Sequence, residues 1–103
     1  MNASSSDFDC LCREHLTRYF ATYPDGAMSQ EAIRALGFLT AGDGPYSGSP
    51  GGWAAGLIYF LVNRYRLPCG VPGLLNSEVE AFFGVTMGTI RKRAARVEEL
   101  LTI

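Results

Sequence analysis

The sequence predicts an all-α protein built from five helices. Three observations lead there. Apolar residues recur at three- and four-residue spacing in four separate segments. A further segment, WAAGLIYFLV over residues 53–62, is apolar on every side for ten residues. Clusters of Gly, Pro, Asn and Asp divide these segments, and no stretch alternates convincingly as a strand. At 103 residues the chain has a common single-domain size and can close a core without disulfide staples. Apolar residues make up 48% and charged residues 18%, which predicts a packed globule.

Residues 1–6, MNASSS, are polar and expected to be disordered, leaving 7–103 as one domain. Ser6 is the candidate cap of a first helix over 7–23. Asp7 and Asp9 fall where they favour the positive end of its dipole. Phe8, Leu11, Cys12, His15, Leu16 and Tyr19 follow helical spacing and are expected to face inward. Pro24-Asp25-Gly26 reads as a turn. Ser29 is the candidate cap of a short second helix to about residue 38, with Ala32, Ile33 and Leu36 on one side. The segment TAGDGPYSGSPGG, 40–52, holds five glycines and two prolines and reads as a loop, long for a compact domain.

The third helix is expected over 53–66. Its all-round apolar surface makes it the central helix, and its apolar run is too short to cross a bilayer. A buried strand is the competing reading, which the length of the segment disfavours. Ala54, Ala55 and Gly56 leave room for a neighbour to approach closely. LPCGVPG, 67–73, breaks the chain again. Asn76 and Ser77 offer caps for a short fourth helix, and Ser77 with Glu80 matches a capping box. Val79, Phe82 and Phe83 form its apolar face, and Gly84 ends it. Thr86 is the candidate cap of a fifth helix to about residue 102, with Ile90, Ala94, Val97 and Leu101 as its inner stripe.

The net charge is −1, which disfavours a polyanion binder of the whole-surface kind. The charge is uneven, however. Residues 1–60 carry three basic and six acidic groups, whereas 61–103 carry six basic and four acidic. The start MNASSSDFDC has neither a basic opening nor an apolar run, so no secretory leader is expected. Three cysteines cannot all pair within one chain. Reduced thiols and a cytoplasmic location are the expectation.

The basic residues concentrate where a helix-turn-helix is expected, over about 76–102. NSEVEAFFGVTMGTIRKR has two helical segments joined at a glycine, and Gly84 can supply the left-handed residue of the turn. With Ile90 inward, the second helix presents Thr86, Met87, Gly88, Arg91 and Lys92 at its tip, with Arg96 on a flank. Met87 points partly inward by the same count. Arg93 lies near the apolar stripe and is expected to lay its stem on the fourth helix. Bases come first in this helix and Glu98 and Glu99 later, the reverse of the dipole's preference. That order adds positive charge to an end that already attracts anions. The plainer reading of the same residues is a solvated basic face.

WAAGLIYFLVNRY followed by SEVEAFFGVTMGTIRKRAARVEELL resembles the cyclin-like core repeat of the transcription-factor-IIB family. Gly84, Val85, Thr86, Thr89, Ile90 and Arg91 fill its Gly-Val-Thr-x-x-Thr-Ile-Arg type run. The chain is also similar, over roughly residues 10–102, to a small bacterial domain family of unknown function related to that repeat. The resemblance implies a five-helix cyclin-like bundle whose last two helices contact DNA. That family carries two repeats and a zinc ribbon; this chain has one repeat and no ribbon.

Other constellations point to no chemistry. Cys12 and His15 share a helix face, but Cys10 and Cys12 point to different sides and no CxxC occurs, so no metal site is expected. The glycine loop lacks the Gly-Lys-Ser/Thr ending of a phosphate loop. It reads as a connector, or as a partner-binding loop with Tyr46 as its contact. No nucleophile has an identifiable base, and neither an enzyme nor a cofactor is expected. The expected function is that of a DNA-binding transcriptional regulator, acting as a homodimer or in a larger assembly. The alternative is a protein-binding adaptor that never touches nucleic acid.

Overall fold

A computed structural model describes residues 5–42, 46–64 and 70–101. Five helices follow one another: α1 (Ser5–Thr22), α2 (Gly26–Leu39), α3 (Pro50–Asn63), α4 (Asn76–Phe83) and α5 (Met87–Leu101). No strand occurs among the described residues.

The apolar third segment lies where its composition requires. Every residue of α3 from Gly51 to Tyr59 is buried, and the helix packs against all four others, most extensively against α5. Small residues make that approach possible. A methyl group built on Gly56 would stand 2.6 Å from Arg93 Cβ and 2.9 Å from the Ala94 amide nitrogen. One built on Gly51 would stand 2.7 Å from the Phe83 carbonyl oxygen, so α3 also begins tightly against the end of α4. Around this axis Leu16, Leu36, Leu57, Ile58, Val79, Ile90 and Val97 are almost wholly excluded from water. Each contributes roughly 1.5–3 kcal/mol by burial alone.

Five boundaries differ from the sequence-based expectation, and at three helix starts the capping contact explains the shift. α1 starts at Ser5, so Ser6 lies inside its first turn; residues 1–4 lie outside the described residues. α2 starts at Gly26 because Asp25 caps it, its carboxylate accepting from the Met28 amide at 3.1 Å. Ser29 is therefore interior, one turn late for a cap. α3 starts three residues before Trp53: Ser49 Oγ accepts from the Gly52 amide at 3.2 Å, and Pro50 takes the first position, where its fixed φ suits a helix. The α3 helix closes at Asn63 with Arg64 as its cap, and the expected continuation through Arg66 falls outside the described residues. α4 follows Leu75, whose amide donates to Glu78 Oε1 at 2.9 Å. The expected Ser77–Glu80 box does not form, because Ser77 already lies within the helix.

Among the expected inward residues of α1, Leu11 is the exception, 42% exposed. Its neighbours Phe8, Cys12, Leu16 and Tyr19 are buried as expected. Asn63 is a buried polar residue in the core, held by its side-chain amide donating to the Tyr59 and Gly70 carbonyls at 2.9 and 3.0 Å. None of the helices among the described residues is long and apolar enough to cross a membrane.

Candidate nucleic-acid interface

Helices α4 and α5 are joined by three residues, Gly84, Val85 and Thr86. Gly84 sits at φ 70°, ψ 30°, the left-handed region that a side chain disfavours, and its amide donates to the Glu80 carbonyl at 2.8 Å. Thr86 caps α5 as expected, with Oγ1 accepting from the Thr89 amide at 3.2 Å. Val79, Phe83 and Ile90 are buried, with Val85 partly buried against the same core.

The first turn of α5 is not open to an incoming anion in the way the sequence implies. Glu80 reaches from α4 to accept from the Met87 amide at 2.7 Å. One carboxylate and one hydroxyl thus already occupy the Met87 and Thr89 amides. No spacing rule pointed to Glu80 in this role, because its position fitted a capping box on its own helix instead. Met87, expected at the tip, is 7% exposed and belongs to the core. Its side chain anchors α5 and offers nothing to a ligand.

The rest of the outward face stands as expected. Thr86, Gly88, Arg91, Lys92 and Arg96 are exposed. Arg91 and Lys92 form no ion pair with a described carboxylate. Arg96 does, its guanidinium bonding Glu99 at 2.8 Å one turn on. Both partners are well exposed, so the pair is worth about 0–1 kcal/mol and is readily exchanged. Arg64 bonds Glu31 at 2.6 Å. The basic surface therefore centres on α5, with Arg91 beside the α3–α5 groove that Arg64 and Glu98 also line.

Arg93 corrects a further expectation. Its stem lies on α3, not α4. The guanidinium sits 5.3 Å from the centre of the Trp53 ring, and Nη1 reaches Ser47 Oγ at 3.4 Å. Trp53 Nε1 donates to the Ser47 carbonyl at 2.8 Å, so α5 and the 46–49 segment are tied together through one indole. Tyr46, the contact that the alternative partner-binding reading of the loop would use, is stacked on Phe8 at 4.2 Å with its hydroxyl bonded to the Leu39 carbonyl at 2.7 Å.

Cys12 is buried and Cys10 exposed, on different sides of α1; Cys69 lies outside the described residues. Burial, reinforced by Asp9, pushes the Cys12 thiol up to about 12, so it stays protonated and inert. His15 lies beside Gly51 and Phe83 with Nδ1 buried and unpartnered. Burial holds its pKa below the usual 6.5, with Arg18 adding to the effect and Glu14 opposing it. The unfolded chain thus binds this proton more readily than the folded one. Stability is expected to fall as pH drops through and below 6.5, and His15→Gln should remove that part of the slope. Urea midpoints of both proteins between about pH 5 and 8 decide it; parallel profiles would show that His15 is indifferent to the fold.

These features define a five-helix all-α bundle with an apolar central helix and one exposed basic helix. Its relationship to known proteins is not visible by comparison: no family model, no curated protein and no solved structure matches the chain.

Proposed function

We propose that the protein is a DNA-binding regulator with a cyclin-like bundle, in which α4 and α5 act as a helix-turn-helix. The observation that carries this reading is the pair Arg91 and Lys92. Both are exposed on the outward face of α5, just after a glycine turn, and neither forms an ion pair with a described carboxylate. Cations left unneutralised on an otherwise slightly acidic protein suit phosphate. Since Glu80 and Thr86 occupy amides of the first turn, the contacts assigned here are made by side chains. The resemblance of the Gly84–Arg91 run to the transcription-factor-IIB repeat supports the same face.

Few phosphate contacts mean weak, salt-sensitive binding by one copy, and a dimer or larger assembly for tight binding. Fluorescence anisotropy on duplex DNA at about 50 mM and about 200 mM salt tests the reading. The double variant Arg91→Ala/Lys92→Ala is expected to bind more weakly and with a shallower salt dependence, by about one unit of slope per lost contact. Equal binding by the two proteins, or none by either, would end it. An adaptor role would then stand alone. It draws on Phe38, 70% exposed at the rim of a groove that Phe60, Leu100 and Leu101 line between α2, α3 and α5.

A further inference from the structure

A second groove runs along the other flank of α5, between that helix and the 46–49 segment. It encloses about 580 Å³, and its walls include Lys92, Arg93, Arg96, Glu99, Ser47 and Trp53. Among the described lining residues, three cations stand there against one carboxylate. We propose that this groove seats a backbone phosphate of the nucleic acid, so that the 46–49 segment before α3 is part of the binding surface. The proposal rests on the DNA-binding reading and extends it from the tip of α5 to its flank.

Four features favour an anion in this groove. Arg93 is held in place in advance: its guanidinium lies over the Trp53 ring at 5.3 Å, and its Nε is shut in without a partner. An arginine already ordered by an aromatic face loses little freedom when it binds. Ser47 Oγ, 3.4 Å from Arg93 Nη1, places a hydroxyl beside the same cation. The carboxylate is the weak point of the opposing side, because the Arg96–Glu99 pair is exposed at both ends and a phosphate can take its place. The carbonyl of Leu39 at the end of α2, which would repel an anion, is already covered by the Tyr46 hydroxyl at 2.7 Å.

The test uses the full chain, duplex DNA and four variants, with melting temperatures measured alongside. Arg96→Gln and Arg93→Lys are each expected to weaken binding several-fold on every duplex sequence. Arg96→Gln should also flatten the salt dependence by about one unit, whereas Arg93→Lys keeps its charge and should leave the slope nearly unchanged. Glu99→Gln removes the competing carboxylate and should tighten binding, a gain that no loss of folding can imitate. If these three bind as wild type does while Arg91→Ala/Lys92→Ala is weakened, the groove is overturned and the tip of α5 keeps its role. If wild type ignores duplex DNA, the tip reading falls and inorganic pyrophosphate becomes the probe. Chemical-shift changes at Ser47 and Arg96, lost in Arg96→Gln, would then assign the groove to free phosphate. No change would overturn it.

Discussion

Gly56→Val is expected to destabilise the protein by about 3 kcal/mol, at the upper end of the cost of overpacking a core. Two terms compete. Any side chain at this helical position recovers part of the glycine penalty, at most about 1 kcal/mol and less for a β-branched residue. Against it stands geometry: the first carbon alone would lie 2.6 Å from Arg93 Cβ and 2.9 Å from the Ala94 amide. One of those atoms is backbone, so α5 as a whole must move, and valine adds two methyl groups beyond the first carbon. The clash therefore wins. A drop in Tm of roughly 10–20 °C follows for a domain of this size. Gly37→Ala is the matching control. It lies within α2 with nothing within 4 Å of the added carbon, so it should raise stability by roughly 0.5–1 kcal/mol. A Gly56→Val protein melting with wild type would show that α3 and α5 are not in the contact described.

Ile90→Ala is the second large effect, expected to cost about 2–5 kcal/mol. Ile90 is completely buried and sits on the inner stripe of α5 with Met87, Ala94 and Val97. Its removal deletes packing at the seam on which α5 depends for its orientation. Urea unfolding measures the loss directly: at a slope of about 1–3 kcal/mol/M the midpoint should fall by at least ~0.7 M. On the proposed DNA-binding reading, affinity for duplex DNA should fall as well, because the basic face belongs to the same helix. A midpoint within experimental error of wild type would contradict the burial of this residue.

Much of the bundle is legible in the sequence. The stripe Ile90, Ala94, Val97 and the apolar third segment both follow from helical periodicity, which reports burial directly. The glycine at 84 was readable because a left-handed turn has few other solutions. Helix starts are harder to place, because the residue that sets them is not singled out by periodicity. Asp25 preceded Ser29, and Ser49-Pro50 lay hidden in a glycine-rich run whose glycines turned out to be close contacts. The site is harder, because its geometry comes from contacts between separate elements. Glu80 meets Met87 across the turn, and Arg93 meets Ser47 forty-six positions away, pairings that no local pattern encodes.

The indole of Trp53 joins these parts in one place. It is the chain's single tryptophan, shielded from solvent, edge-on to Phe8 and Tyr46 and faced by the Arg93 cation. Its emission is therefore an intrinsic optical reporter that needs no label. Unfolding shifts it to the red as water reaches the ring, and any species that draws the guanidinium from its face changes its intensity while the spectrum stays blue. One fluorophore thus distinguishes melting from occupancy in the same cuvette.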